Sequence, residues 1–187
     1  MNRREAIERV ALLLGGTVIG AEFFLSGCKQ SVSTAGNFFD TDNLLYLNEI
    51  GETILPKTSS PGAKEAKVGE FMAIMVKDCY SAEDQKVFMA GLDDINQKSN
   101  KQFDHNFIDC TPQQKTELLT SLDTEQKKYG ETKEKDAPNH YFRMLKELTL
   151  LGYFTSEVGC TKAMRYLPVP GKFVGTIPYK KGDKAWA

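Results

Sequence analysis

TPQQKTELLTSLDTEQKKYG, residues 111–130, is written as a helix. Thr111 can cap its N-terminus. Pro112 takes the first helical position, where a missing N–H costs nothing, and Gln114 can close a capping box. Leu118, Leu119 and Leu122 then share one apolar face, and Gly130 marks a stop. Downstream, residues 131–136 form a solvated charge run. A further helix follows Pro138, with Tyr141, Phe142, Leu145, Leu148, Leu151 and Gly152 turned inward. It is the most apolar helix of the domain. Thr155 or Ser156 opens a short last helix that reaches Tyr166.

Upstream, the same helical spacing recurs three times. Leu44, Leu47, Gly51, Ile54 and Leu55 share a face behind a cap at Thr41 or Asp42, and Pro56 ends that helix before a Pro/Ser/Gly loop. A second helix is expected over residues 65–80, with Val68, Phe71, Met72, Met75 and Val76 inward. Ser81 with Asp84 resembles a capping box. It opens a third helix, to about Ser99, striped by Val87, Phe88, Leu92 and Ile95. No segment alternates with period 2, and no internal repeat is present. The predicted fold class is all-α: a compact bundle of five to six helices over residues 41–166.

From Leu167 onward Pro168, Pro170, Gly171, Gly175, Pro178 and Gly182 forbid a long helix. Residues 167–187 read as an extended tail lying on its own domain or on a partner. Aromatics set among Pro and Gly present large apolar area at little ordering cost, which suits an interface. Tyr166, Phe173, Tyr179 and Trp186 are therefore the candidate partner-contact residues.

The longest apolar run lies in the first thirty residues, MNRREAIERVALLLGGTVIGAEFFLSGC over 1–28. Basic, apolar, then small residues is the order of an export signal, and the run is shorter than the ~20 residues that span a bilayer. Arg3 and Arg4 form a twin-arginine pair of the kind that exports folded proteins (Tat). Leu25, Ser26 and Gly27 before Cys28 resemble a lipobox, which would make Cys28 a lipidated first mature residue. Residues 1–27 are thus read as an export signal and 28–40 as a lipidated tether. The expected location is the periplasmic side of a bacterial membrane. A buried helix with an incidental Cys and an uncleaved anchor are the weaker readings. Gly15, Gly16 and Gly20 lack the spacing and the strand of a dinucleotide loop.

The composition narrows the chemistry. With 24 Lys+Arg against 25 Asp+Glu the formal net charge is −1, which argues against nucleic acid as a partner. A mean hydropathy of −0.39 excludes a polytopic membrane protein. Cys79, Cys110 and Cys160 form no C-x-x-C, so structural zinc and dithiol redox work lack support, and one disulfide or three reduced thiols both remain open. His105 and His140 are isolated. His140 can sit at a helix N-terminus, with Glu147 two turns on. A capping role suits it better than catalysis, because no nucleophile or orienting partner accompanies it. No catalytic or metal-ligating residue is assigned.

Several blocks now add up to a whole-chain likeness: Glu52-Thr53-Ile54-Leu55-Pro56-Lys57-Thr58, Pro61-Gly62-Ala63, Tyr141-Phe142, the run from Lys146 to Glu157 (KELTLLGYFTSE), and Tyr166 with Pro168, Pro170 and Gly171. The chain resembles the gluconate 2-dehydrogenase subunit 3 family, the small subunits of bacterial membrane-associated flavin dehydrogenases. The resemblance implies no cofactor in this chain. It implies FAD, and oxidation of a sugar, sugar acid or alcohol, in a separate large subunit of the glucose–methanol–choline type. It also implies that a cytochrome c subunit, with its haem, can take the electrons. The small subunit would support assembly, export and membrane attachment of the large one. A stand-alone enzyme or ligand binder using His140, and a purely structural envelope lipoprotein, are the alternatives.

Overall fold

The computed structural model describes residues 40–187. The twin arginines, the lipobox and Cys28 lie outside the described residues. Within them the protein is all-α, as expected. Its helices are α1 (Thr41–Ile54), α2 (Val68–Cys79), α3 (Ala82–Phe103), α4 (Pro112–Thr132) and α5 (Tyr141–Thr155). A short 3-10 turn, Phe107–Asp109, precedes α4, and a π-type turn, Gly159–Ala163, follows α5.

α5 is the hub of the bundle, in contact with each of the other four helices. That position explains most of its composition, since a helix touched on most sides must be apolar on most sides. Leu150, Leu151 and Phe154 are nevertheless exposed, Leu151 against the expectation that it faces inward. Tyr141, Phe142, Met144, Leu145, Leu148 and Tyr153 of α5 are all buried. Leu47 and Ile50 of α1, Val68, Met72 and Val76 of α2, Phe88 and Ile95 of α3, and Leu122 of α4 meet them in the core. Each such side chain contributes about 1.5–3 kcal/mol by leaving water. Gly152 lets the Phe71 ring of α2 pack against α5: a Cβ there would stand 2.6 Å from that ring.

Local chemistry sets the helix starts. Ser81 Oγ accepts from the Asp84 N–H at 3.1 Å, and its hydroxyl donates to Asp84 Oδ2 at 2.7 Å. At Thr111 the full capping box forms with Gln114. α1 begins at Thr41 behind Asp40, which makes no side-chain cap bond. α2 starts at Val68 rather than near residue 65, because Lys67 sits in the left-handed region at φ 53° and ends the preceding turn. The expected short last helix does open after Ser156, whose Oγ accepts from the Gly159 N–H at 3.0 Å, but it ends at Ala163 rather than reaching Tyr166. It closes into the π-type turn, with Gly159 tight against the Tyr153 carbonyl.

Candidate functional site

Three side-chain constellations stand out, and the first lies in the ETILP and PGA blocks. Glu52, on the last turn of α1, accepts from the Lys57 N–H at 2.8 Å with one carboxylate oxygen and from the Lys64 N–H at 2.9 Å with the other. One carboxylate thus holds both ends of the 57–64 loop. A Cβ on Gly62 would stand 2.3 Å from that carboxylate, so a larger residue there would push it off its loop bonds. The Ala63 N–H returns to the Leu55 carbonyl at 3.0 Å. From α5, the buried Tyr153 donates its hydroxyl to the Pro61 carbonyl at 2.6 Å. Next to this loop Asn48 accepts from the Gly69 N–H and donates to Glu70, capping α2 from a neighbouring helix. Glu49 receives Lys64 at 2.8 Å and the buried Lys115 at 2.9 Å. Burial pushes the Glu49 carboxyl upward, but hydrogen bonds from Lys64 and Lys115 outweigh it and leave it below its usual range.

The second constellation gathers ionisable groups of α3, α4 and α5. Tyr141 donates to Asp94 at 2.5 Å. Lys98 bridges Asp94 at 2.9 Å and Glu125 at 2.7 Å. Burial, then the bond to Asp94, raises the Tyr141 hydroxyl well above its ordinary value and keeps it protonated. His140 caps α5: its Nδ1 accepts from the Phe142 N–H at 3.2 Å, which leaves the proton on Nε2, 3.6 Å from Glu125. Its ring stacks on Tyr141 at 4.4 Å. Burial lowers its pKa, against a smaller upward pull from Glu125. The acid beside His140 is therefore Glu125. Glu147 pairs with Arg143 at 2.7 Å instead. A nearby depression of about 500 Å³ is open to solvent. His140 is not part of its lining, and its Lys127 and Lys146 are engaged by Asp123. Among the described residues no group of three His, Cys, Asp or Glu is placed to hold a metal ion.

The third is the tail. Residues 166–185 leave the helices and return, and the ends are clasped. Arg165 and Trp186 form an isolated parallel bridge, with the Arg165 N–H on the Ala185 carbonyl at 2.8 Å and the Ala187 N–H on the Arg165 carbonyl at 2.9 Å. The Arg165 guanidinium lies 4.6 Å over the Trp186 ring, and Lys184 donates to the Lys162 carbonyl. Of the four aromatics singled out in the sequence, Trp186 is thus engaged in the clasp. Tyr166, Phe173 and Tyr179 are exposed. Cys79, Cys110 and Cys160 are unpaired thiols, and Cys110 is buried against Ser99.

The family model for gluconate 2-dehydrogenase subunit 3 matches residues 41–171, from the first residue of α1 into the tail. The chain belongs to the gluconate 2-dehydrogenase subunit 3 family. Family membership makes it a subunit of a dehydrogenase complex, an accessory polypeptide that partners other dehydrogenase subunits. No curated protein and no solved structure matches the chain. The family region contains the Glu52 loop, the Tyr153–Pro61 bond and the His140 cluster, and it ends inside the tail. Glu52, Pro61 and Tyr153 lie in separate recognisable blocks of the sequence, and only the fold brings them to one loop. Arg165, half of the clasp, carries no sequence signal of its pairing with Trp186. The lysines of the tail, Lys172, Lys180, Lys181 and Lys184, do carry a signal, a local excess of positive charge.

Proposed function

We propose that this chain is the non-catalytic small subunit of a membrane-associated flavin dehydrogenase. Its large subunit, of the glucose–methanol–choline type, holds FAD and oxidises a sugar, sugar acid or alcohol. The observation that carries this reading is how the chain uses its most recognisable residues. Glu52, Gly62, Pro61 and Tyr153 close a loop onto a helix, and His140 caps one. Groups committed in this way build a rigid surface, which is what a supporting subunit offers a larger partner.

The N-terminal segment completes the reading. Arg3 and Arg4 would direct export of a folded protein, so a flavoprotein already loaded with its cofactor could cross the membrane bound to this chain. Cys28, lipidated after the Leu25-Ser26-Gly27 lipobox, would then hold the complex at the periplasmic face. A cytochrome c subunit would receive the electrons.

Deleting the chain in its host tests this. Membranes should lose flavin-dependent dehydrogenase activity while the large subunit accumulates unexported. Unchanged membrane activity would exclude a supporting role. Cys28→Ala should shift the complex from the membrane to the soluble periplasmic fraction, and retention at the membrane would exclude the lipid anchor.

A further inference from the structure

The clasp between Arg165 and Trp186 makes residues 166–185 a closed loop. Its apolar side chains face outward: Phe173 is 95% exposed, Val169 79%, Tyr179 76% and Tyr166 55%. Isolated exposed apolar residues are ordinary, but a run of them on one segment is not. The same segment is basic. Between Arg165 and Ala187 there are five basic residues, Arg165, Lys172, Lys180, Lys181 and Lys184, and one acidic residue, Asp183. The whole chain has a formal net charge of −1, so the remainder is acidic and the positive charge is concentrated here. Two short turns brace the loop, Lys172 N–H to the Pro170 carbonyl and Asp183 N–H to the Lys180 carbonyl. Between them, residues 173–179 make no backbone–backbone hydrogen bond among the described residues. At the base, the Arg165 Nε is buried without a hydrogen-bond partner.

We propose that residues 166–185 are a docking arm that seats in an acidic groove on the partner dehydrogenase subunit. Phe173 and Tyr179 are the apolar anchors, and Lys172, Lys180 and Lys181 meet the groove's carboxylates. The proposal rests on the supporting-subunit reading above and assigns it a surface. Aromatic side chains bury about 150–250 Å² each. Tyr166, Phe173 and Tyr179 therefore supply roughly half of the ~800 Å² that one side of a stable interface needs, and the exposed Leu167, Val169, Val174 and Ile177 add to it. Closure at the base reduces the freedom the loop loses on binding, and the lysines steer it towards an acidic surface. A protein groove fits better than a bilayer. The open N–H and C=O groups of residues 173–179 can pair with a partner's backbone, whereas lipid would leave them unsatisfied.

A photoreactive benzophenone amino acid placed at position 173 of the full-length chain, in the native host, tests this directly. Cross-linking to the flavin-containing subunit is expected from position 173 and not from position 131 on α4. In parallel, the double variant Phe173→Ser/Tyr179→Ser and the triple variant Lys172→Glu/Lys180→Glu/Lys181→Glu should each reduce flavoprotein recovered per chain by about tenfold or more. Helical circular dichroism should stay unchanged. If either variant unfolds, the cross-link decides, because it alters one side chain that is already exposed. Full flavoprotein recovery with both variants, or no cross-link from position 173, would overturn the arm's role while leaving the subunit reading intact. Wild-type chain that recovers no flavoprotein would overturn the subunit reading first. Variants that keep the flavoprotein but stop co-sedimenting with phosphatidylglycerol vesicles would assign the arm to the membrane instead, and would also overturn the proposal.

Discussion

The Tyr153 hydroxyl donates to the Pro61 carbonyl at 2.6 Å across a separation of 92 residues. It joins the two most recognisable blocks of the sequence, the loop after α1 and the end of α5. The phenol ring is buried and its hydroxyl ends on a loop carbonyl, so the contact helps fix where the loop sits. Tyr153→Phe keeps the ring and removes the bond. It should cost about 1–2 kcal/mol and lower the melting temperature by roughly 2–8 °C in calorimetry. An unchanged melting temperature would mean that the loop is held without it.

Glu52 and Gly62 should behave as a coupled pair. Gly62→Ala puts a methyl group into the space of the Glu52 carboxylate and should destabilise by about 1–3 kcal/mol. In a Glu52→Ala background that space is empty, and the same change should cost clearly less. A double-mutant cycle in urea measures the coupling. Additive costs would show that the carboxylate does not define the loop.

Much of this architecture was legible in the sequence where a residue acts on its own neighbourhood. Ser81 and Thr111 cap the helices they precede, and the box at Thr111 forms as its spacing predicts. The apolar stripes of α3 and α4 face the core as expected. Long-range partners were not legible. The left-handed turn at Lys67 that starts α2 is backed by Asn48, which reaches Gly69 from another helix, so the sequence near residue 65 carries no sign of it. The role of Glu52 was equally hidden, because a carboxylate near a helix end looks like a solvated charge until the loop folds back onto it. The arm was visible through its Pro, Gly and aromatics, but its closure depends on Arg165 meeting Trp186, which periodicity cannot show.

His140 should make stability depend on pH just below neutrality. Burial holds its folded-state pKa below the ordinary 6.5, so the unfolded chain binds the proton more readily. Stability is therefore full above the unfolded value and is lost as pH falls through it towards the lower folded value. His140→Asn keeps an N-cap acceptor but cannot titrate. Urea unfolding across pH about 5 to 8 should show a sloping profile for wild type and a flatter one for the variant. Parallel profiles would contradict the buried neutral form.

Asp123 governs a more acidic window. Hydrogen bonds from Lys127 and Lys146 hold its carboxyl at about 2, below the ordinary 3.8. Its contribution is present above the ordinary value and disappears as pH falls towards about 2. These are partly exposed pairs, so Asp123→Asn should cost only on the order of 1 kcal/mol at neutral pH. It should also reduce the steepness of acid unfolding monitored by circular dichroism. A variant as acid-sensitive as wild type would place the acid response elsewhere.

The supporting-subunit account meets its most direct test in the flavin content of the native complex. The full-length tagged chain would be purified in mild detergent from membranes of its own host. The account predicts near-stoichiometric flavin, carried by a separate large polypeptide with dye-linked dehydrogenase activity. A chain recovered intact from those membranes with no flavin and no dehydrogenase activity would contradict it.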